Sequence, residues 1–418
     1  MNFGEIILKY KDELLADLKT LIEIKSVASE TPDECVKALD FILRRALDFG
    51  LETKNIENKA GHAQIGRGGK ICGALTHLDV VPAGKNWTYE PFTLTRENGR
   101  LYGRGVDDDK GASIVDLYCL RALRESGVQG KNTLRAIFGT DEEVGMSDME
   151  TYFKYEPVPD MSFTPDSEYG ICLAEKGILQ LKISGGESPN GFDSISAGKA
   201  LNAVPDEAII IIDGKETVIK GSSAHACECF KGDNAAVKLA LEYDFDSDIL
   251  GFIKKYLTGT DGEALGIKMS DEPSGSLTVC LGSLRINKDE SYFTLDIRYP
   301  VTKEFGEVFD KIKILCENYN FTLDIVHHST PLYLPEDSDI VRALSSAYEK
   351  ITGEKPELYS TGGGTYARVL GGKGVAFGPA FKDDNVNMHN ADESIDEDKF
   401  FKHAQICLQA MYELYTME

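Results

Sequence analysis

The sequence predicts an α/β fold, with a larger domain whose mainly parallel sheet is flanked by helices and an inserted α+β domain with an antiparallel sheet. Buried apolar runs alternate with amphipathic helical patterns in residues 1–177, which is typical of parallel strand–helix units. Residues 178–330 contain runs that alternate apolar and polar side chains, as half-buried antiparallel strands do. The pattern of the first segment returns in residues 331–418.

The first segment begins with two predicted helices. Apolar residues recur at helical spacing between positions 5 and 25, and a second helix is predicted at 32–50, between a proline and a glycine. Apolar runs at 71–76 and 134–139 predict two buried strands, with an amphipathic helix at 110–127 between them. This order of elements predicts a parallel sheet.

The inserted and final segments are predicted from the same patterns. In the inserted segment we expect strands at 178–184, 207–213, 276–286 and 292–299, and helices at 233–243 and 303–319. In the final segment we expect a helix at 338–352, a strand at 375–377 and a helix at 397–416. Since the final segment resumes the α/β pattern, it is predicted to complete the first domain, with boundaries at 1–177, 178–330 and 331–418.

The composition excludes several classes of protein. A chain of 418 residues is long enough to bury sizeable cores, and a hydrophobic share of 42% with 27% charged residues is ordinary for a globular protein. The formal net charge of −24 and the pI near 4.8 argue against nucleic acid or an anionic membrane as a partner, because both would repel such a surface.

The chain is predicted to work in the cytoplasm. Its first residues alternate charged and apolar side chains without the apolar core of a signal peptide, and its longest aliphatic run, 208–212, is too short to cross a membrane. Nine scattered cysteines, an odd number, favour buried reduced thiols over a disulfide framework. The pair Cys227 and Cys229 leaves a site for a soft metal open as an alternative.

Polar residues follow two of the predicted strands directly. His77 and Asp79 follow the first and, two residues apart in an extended segment, would point to the same side. A carboxylate behind a ligating imidazole fixes its tautomer. Glu142 and Glu143 follow the second strand, where one carboxylate could bind a metal and its neighbour act as a general base. Ligand sites collect at this edge of a parallel sheet.

Three further segments add carboxylates and a second histidine. GRGVDDDKG at 103–111 crowds three aspartates, which repel one another unless a cation lies among them. TPDSE at 164–168 follows a short apolar run, and NMHNADE at 387–393 lies near the end of the chain. Alone, each segment is also consistent with a solvated surface loop. Together, the five loops offer imidazole and carboxylate ligands, which predicts a dinuclear metallohydrolase.

The same segments belong to a series of motifs that spans residues 76–393. They are THLDVVPAG (76–84), GRGVDDDKG (103–111), GTDEEVG (139–145), TPDSE (164–168), NAVPD (202–206), SAHA (223–226), LDIRYP (295–300), GGGTYAR (362–368) and NMHNADE (387–393). In this order they resemble the M20 family of metallopeptidases, close to its PepV-like dipeptidases. The resemblance implies hydrolysis of the amide bond in dipeptides with two divalent metal ions, zinc as first choice and manganese or cobalt as alternatives.

The resemblance also implies roles for residues of the larger, catalytic domain. One metal ion would be bound by His77 and Asp166, and the other by Glu143 and His389. Asp108 would bridge the two ions, because it stands where the family motif has its shared aspartate.

Three further features of the catalytic domain follow from the resemblance. Asp79 would orient the imidazole of His77. Glu142 would be the general base that deprotonates a water bridging the metals. The peptide bond between Asp108 and Asp109 is expected to be cis, as it often is after the bridging aspartate in this family.

The inserted domain resembles the family's lid. By this resemblance, Asn202 and His225 would stabilise the oxyanion that forms on the scissile carbonyl. Arg298 would bind the carboxylate of the substrate through two parallel hydrogen bonds, and the loop of Gly362, Gly363 and Gly364 could add backbone N–H donors. Because some groups come from the lid, catalysis is expected to require domain closure.

Two other functions stay open at this stage. A deacylase or carboxypeptidase of the same family would act on N-acylated amino acids instead of dipeptides. A non-catalytic binding protein on the same fold would lack the base or some ligands, whereas Glu142 and every expected ligand position are filled here.

Overall fold

The structure is a computed structural model that describes residues 2–186 and 188–418. Its α-helices are α1 (Lys11–Glu23), α2 (Pro32–Asp48), α3 (Lys110–Ser126), α4 (Ser147–Tyr155), α5 (Ala235–Glu242), α6 (Asp248–Tyr256), α7 (Phe305–Asn318), α8 (Asp339–Thr352) and α9 (Glu397–Thr416). Its 3₁₀ helices are Gly4–Tyr10, Glu142–Val144, Ala226–Lys231 and Tyr366–Leu370.

The strands are short compared with the helices. They are β1 (Glu52–Ile56), β2 (Ala60–Ile65), β3 (Ile71–His77), β4 (Thr95–Glu97), β5 (Arg100–Tyr102), β6 (Thr133–Gly139), β7 (Met161–Thr164), β8 (Ser167–Glu168), β9 (Ile171–Glu175), β10 (Gly177–Ser184), β11 (Ser194–Ala197), β12 (Glu207–Ile212), β13 (Lys215–Lys220), β14 (Ser270–Asp271), β15 (Gly275–Ser276), β16 (Thr278–Ile286), β17 (Ser291–Tyr299), β18 (Thr322–Ser329), β19 (Leu332–Tyr333), β20 (Leu358–Thr361), β21 (Gly374–Ala376), β22 (Pro379–Ala380) and β23 (Ser394–Asp396).

The chain divides into two compact units. Unit 1 consists of Met1–Leu173, Leu334–Tyr359 and Thr365–Glu418, and unit 2 consists of Ala174–Tyr333 and Ser360–Gly364. The domain boundaries inferred from the sequence stay a prediction. They place the segment Ser360–Gly364 in the catalytic domain, whereas in the structure this segment groups with unit 2. Among the described residues, no helix is both long and apolar enough to cross a membrane.

Unit 1 is built on a mixed sheet with parallel strands at its centre. The strand order begins β1-β2-β6-β3-β7-β21-β9. Strands β6, β3, β7 and β21 run parallel, whereas β1, β2 and β9 pair with their neighbours antiparallel. Every residue of β6 is buried, as expected for a parallel strand covered on both faces, and α3 and α9 both contact β3 and β6. The predicted fold class of the larger domain is confirmed.

Helix α3 begins directly after the three aspartates, and its first residue contacts the end of α1. The Nζ of Lys110 donates to the carbonyl oxygens of Leu21 (3.1 Å) and Ile24 (2.6 Å), and lysine side chains commonly hydrogen-bond the last carbonyls of a helix. Burial lowers the pKa of Lys110 to about 7. Gly127, with φ of 73°, ends the helix, and this left-handed conformation favours glycine. Lys110 therefore ties the aspartate-rich loop to α1.

Asp116, in the middle of α3, is fully buried, and neither of its carboxyl oxygens has a hydrogen-bond partner among the described residues. Burial raises its pKa well above that of an ordinary aspartate. The folded state therefore keeps the proton to a higher pH than the unfolded chain, and the free energy of unfolding falls by up to about 1.4 kcal/mol per pH unit above the unfolded pKa of about 4.

We expect Asp116→Asn to unfold at a higher temperature than the wild type at pH 7, because asparagine has no proton to lose. The difference should shrink as the pH falls towards about 4, where the aspartate is protonated in both states. Calorimetry of both proteins across this pH range measures the effect. A difference in Tm that does not change with pH would contradict this account of Asp116.

Unit 2 contains an antiparallel sheet with the order β13-β12-β11-β16-β17-β10-β18. Residues of β10 alternate between buried and half-buried, the pattern of a strand with one face against a core. Helix α5 contacts β11, β12, β13 and β16, while α6 contacts β17 and α7 contacts β18. This arrangement confirms the predicted α+β insertion with an antiparallel sheet.

Candidate active site

Three neighbouring parallel strands end at the same edge of the unit 1 sheet. His77 is the last residue of β3, Gly139 the last of β6 and Thr164 the last of β7. Because β3 pairs in register with both β6 and β7, their carboxyl ends meet, which is where α/β proteins place ligand sites. His77, the turn with Glu142 and Glu143, and the loop with Asp166 are thereby brought together.

Asp108 lies between two histidines. Its Oδ1 is 3.0 Å from Nε2 of His77, and its Oδ2 is 2.8 Å from Nε2 of His389. Asp166 Oδ1 lies 3.9 Å from the same nitrogen of His77, and Glu143 Oε1 lies 3.4 Å from that of His389. The five residues form two groups of three possible metal ligands, and Asp108 belongs to both. The structure thus brings together all five ligands expected from the sequence.

The donor atoms of these two groups fit divalent cations. Nε2 of His77 and Oε1 of Glu143 are buried and make no hydrogen bond within the described residues. Imidazole nitrogens together with carboxylate oxygens are the ligands of zinc and manganese sites. Since each oxygen of Asp108 faces a different histidine, this one carboxylate offers a ligand atom to each group.

Burial and neighbouring charges shift the pKa values of the cluster. Burial raises the pKa of Asp166 to about 6, and the nearby carboxylates of Asp108 and Glu143 raise the pKa of His389 to about 11. Burial also acts to raise the pKa of Asp108, but the nearby imidazoles of His389 and His77 outweigh it, and that pKa lies below its usual range. Without cations, the imidazoles therefore hold protons close to the neighbouring carboxylates. Cation binding would displace these protons.

Glu142 has the environment of a carboxyl that holds a proton readily. Burial, and then the negative charge of Asp166, raises the pKa of Glu142 well above its usual range. Its backbone N–H donates to Asp79 Oδ1 (3.2 Å). The residue predicted as general base thus follows β6 directly, beside the candidate ligand Glu143.

Asp79 makes a contact that the sequence did not predict. Its carboxylate accepts hydrogen bonds from the backbone N–H groups of Glu142 (3.2 Å) and Glu143 (3.1 Å). Nδ1 of His77 lies 2.9 Å from the main-chain oxygen of Asp79 and 3.6 Å from its carboxylate Oδ1. The backbone of Asp79 is thus closer to the imidazole than its side chain is, and the side chain fixes the turn with the two glutamates.

Glu393 organises the loop with Asp108, and sequence reasoning gave it no role. Its fully buried carboxylate accepts hydrogen bonds from the backbone N–H groups of Gly105 (3.0 Å), Asp107 (3.1 Å) and Asp108 (3.2 Å). The equally buried guanidinium of Arg104 donates to it at 2.6 Å. Only its place at the end of the NMHNADE motif could have signalled this role.

We expect Glu393→Gln to weaken metal binding by about 10–100-fold, the usual cost of losing a partner that orients a ligand. The amide of glutamine turns a donor towards backbone N–H groups and removes the charge that pairs with Arg104. Competition with a chelator of known affinity measures the change. Glu397→Gln is the matched control, because Glu397 pairs with the exposed Arg96. Equal metal affinity in both variants would remove Glu393 from this role.

Asp148 was also missed by sequence reasoning. Its Oδ2 accepts hydrogen bonds from the backbone N–H groups of Thr140 (2.6 Å) and Asp141 (3.0 Å), and from the hydroxyl of Tyr366 (2.5 Å). Burial raises the pKa of Asp148 to about 6. Asp148 therefore fixes the start of the glutamate turn and connects it to the 3₁₀ helix Tyr366–Leu370 of the same unit.

In unit 2, the predicted residues Asn202 and His225 are neighbours. Ala203 and His225 form an isolated antiparallel bridge, and the backbone N–H of Ala226 donates to the carbonyl oxygen of Asn202 at 2.9 Å. Two short segments of the unit are thereby held side by side, each with one of the predicted residues.

Arg298 is held by two other residues of unit 2. Its Nε and Nη2 donate to the carboxylate of Asp296 (2.5 and 2.9 Å), and its Nη1 donates to the carbonyl oxygen of Gly362 (2.8 Å). Asp296 thus occupies one of the two edges of the guanidinium that can make a double hydrogen bond with a carboxylate. In the neighbouring loop, the N–H of Gly363 donates to Oγ1 of Thr361 at 3.0 Å.

The cysteines are free thiols in the structure, and all except the half-buried Cys227 are buried. Within residues 2–186 and 188–418, no group of three possible metal ligands includes Cys227 or Cys229. The alternative of a soft-metal site at this pair therefore receives no support.

Comparisons with known proteins find similar proteins that match nearly the whole chain. A model of peptidase family M20/M25/M40 matches residues 74–413. The Bacillus subtilis protein named "Putative dipeptidase YtjP" is 34% identical over 465 aligned residues, covering 99% of this chain and 100% of that protein. The structure of human carnosine dipeptidase 1 has a TM-score of 0.67 at 14% identity, covering 99% of this chain and 98% of that one.

A second solved structure shares the fold at similar coverage. The Bacillus subtilis protein YXEP, described as a dinuclear metal binding peptidase from the M20 family, has a TM-score of 0.59 at 12% identity and covers 98% of this chain and 99% of its own. The family match extends over most of the chain, from the strand that ends at His77 to the last helix. The chain therefore belongs to peptidase family M20/M25/M40.

Proposed function

We propose that this protein is a dipeptidase that hydrolyses the amide bond of dipeptides with two divalent cations held on either side of Asp108. The observation that supports this most is that the two oxygens of Asp108 face two different histidines, each within its own group of three ligands. Relatives that match the chain over nearly their whole length carry the name "Putative dipeptidase", which favours dipeptides as substrates.

Five residues hold the cations in this proposal. His77 and Asp166 bind one, Glu143 and His389 bind the other, and Asp108 contributes one oxygen to each. When bound, such cations would polarise the scissile carbonyl and lower the pKa of a bound water. Zinc is the first choice, while manganese and cobalt accept the same ligands.

Glu142 is the general base in this proposal. It accepts a proton from the attacking water and delivers it to the nitrogen of the leaving amine. Its raised pKa supports this role, because burial and the charge of Asp166 favour the protonated carboxyl. The hydrogen bonds from the Glu142–Glu143 backbone to Asp79 fix the turn from which it acts.

Residues of unit 2 bind the substrate in this proposal. Asn202 and His225 donate hydrogen bonds to the oxygen of the scissile carbonyl as negative charge develops on it. Arg298 binds the substrate carboxylate, together with the loop of Gly362, Gly363 and Gly364. Because Asp296 occupies the Nε–Nη2 edge of Arg298, we assign this contact to the outer N–H groups of its two terminal nitrogens.

The substrate is proposed to be a small peptide in the cytoplasm. The net charge of −24 disfavours nucleic acid and anionic membranes as partners. Nine free thiols suit a reducing compartment.

Three substrates distinguish the dipeptidase from its alternatives. We expect the metal-loaded enzyme to hydrolyse Ala-Leu and to be much slower on N-acetyl-Ala-Leu and N-acetyl-leucine, measured as release of free leucine. Preference for a blocked compound would reject the dipeptidase in favour of a deacylase or carboxypeptidase. Failure to hydrolyse any of the three by a protein that binds two cations would favour a non-catalytic binding protein.

A further inference from the structure

His225 receives two contacts from Cys227, the residue two positions further along the chain. His225 is the N-cap of the 3₁₀ helix Ala226–Lys231, and its Nδ1 accepts a hydrogen bond from the backbone N–H of Cys227 at 3.3 Å. The Sγ of Cys227 lies 2.9 Å from the same nitrogen. The backbone and the side chain of one residue thus converge on one atom of the imidazole.

These contacts decide where the proton of a neutral His225 lies. A backbone N–H can only donate, so Nδ1 must present its lone pair, and the proton of a neutral imidazole is then on Nε2. The thiol strengthens this preference if it stays protonated and donates as well. Burial raises the pKa of the Cys227 thiol, and the S–H form is therefore the one present at neutral pH.

Cys227 also contacts the glycine loop. A β-carbon added to Gly362 would lie 2.5 Å from the β-carbon of Cys227, which is too close for any side chain at position 362. The carbonyl oxygen of Gly362 accepts the hydrogen bond from Arg298. Cys227 is therefore in contact both with His225 and with the loop that Arg298 contacts.

We propose that Cys227 is a positioning residue that keeps the proton of His225 on Nε2 and packs His225 against the Gly362 loop. This inference rests on the proposed function, since a proton on Nε2 lets His225 donate a hydrogen bond to the developing oxyanion. Cys227 itself needs no contact with the substrate in this role. Its effect should therefore appear in kcat more than in KM.

Nitrogen NMR of the metal-loaded enzyme labelled with ¹⁵N-histidine tests the tautomer directly. The His225 signals are assigned by their absence from His225→Ala. We expect the wild type and Cys227→Ser, which keeps a donor, to have an unprotonated Nδ1 and a protonated Nε2. Cys227→Ala keeps the backbone N–H and loses only the thiol, so we expect a larger fraction of the Nδ1-protonated tautomer than in the wild type and a kcat about 5–10-fold lower, the effect of one hydrogen bond, at similar KM. Cys227→Ser should recover most of that loss.

Two results would overturn the inference. One is a proton on Nδ1 of His225 in the wild type. The other is a Cys227→Ala enzyme with the wild-type tautomer and the wild-type kcat. If His225→Ala instead retains the wild-type kcat, the proposed oxyanion role of His225 is wrong. The NMR comparison of the wild type with Cys227→Ala would still test the effect of Cys227 on the His225 tautomer independently.

Substitution of Gly362 tests the packing half of the inference. We expect Gly362→Ala to displace Cys227 and to change the Nδ1 signal of His225 in the same direction as Cys227→Ala does. Gly251→Ala is the control in the same unit, because an added β-carbon there meets nothing within 4 Å. An unchanged His225 signal in Gly362→Ala would show that Cys227 does not depend on this contact.

Discussion

Replacing Glu142 by glutamine is expected to lower kcat by about 10²–10⁴-fold, the usual contribution of a general base, while the protein keeps both cations. The substitution preserves the shape of the side chain and removes its ability to accept a proton. Glu142 belongs to neither group of candidate ligands, so the cations do not depend on it. Turnover of a dipeptide and metal analysis by mass spectrometry of the same sample measure the two quantities.

Glu143→Gln is the matched control for this experiment. The two glutamates are adjacent and have their backbone N–H groups bonded to the same carboxylate of Asp79, but Glu143 is a candidate ligand. We therefore expect Glu143→Gln to lose metal as well as activity. Near-wild-type turnover by Glu142→Gln would remove the residue from its role, and loss of a cation from that variant would make it a ligand.

Replacing Asp108 by asparagine is expected to have the second large effect. We expect the protein to lose both cations and its activity to fall by more than about 10³-fold, because cations of this kind supply several kcal/mol of transition-state stabilisation. Asparagine removes the negative charge and turns an NH₂ group towards one of the two histidines. Both cations are affected together, because one carboxylate serves both groups. Equilibrium dialysis against zinc followed by a dipeptide assay measures both losses.

Asp107→Asn is the control next to this position. Asp107 is also buried, and the structure gives its carboxylate oxygens no hydrogen-bond partner within the described part of the chain. It belongs to neither ligand group, and we expect Asp107→Asn to retain two cations. If Asp108→Asn still bound two cations, or if Asp107→Asn bound none, the shared aspartate would have been assigned wrongly.

Local sequence patterns predicted the parts of the fold that depend on apolar burial. The buried strands β3 and β6 and the amphipathic helices α2, α3, α8 and α9 all have strong periodicity or uninterrupted apolar runs, and the structure contains each of them. The weakly patterned elements were missed. Strand β1 is mostly exposed and has no clear alternation of buried and exposed residues. The short helix α6 lies in a stretch for which no element was predicted.

The candidate ligands could be named from motifs, whereas the residues that support them could not. Glu393 bonds with Gly105 from 288 positions away in the sequence, and Tyr366 bonds with Asp148 from 218 positions away. Such pairs leave no local spacing to recognise, since only the folded chain brings them together. The same holds for Asp296, whose contact with one edge of the Arg298 guanidinium was not predicted.

Anomalous X-ray diffraction from crystals of the zinc-loaded protein tests the shared role of Asp108 most directly. Data collected on both sides of the zinc absorption edge locate each cation without reference to the fold. We predict two peaks about 3.5–4 Å apart, one beside His77 and one beside His389, with an oxygen of Asp108 bound to each. A single peak, or two peaks of which one has no contact with Asp108, would contradict the account.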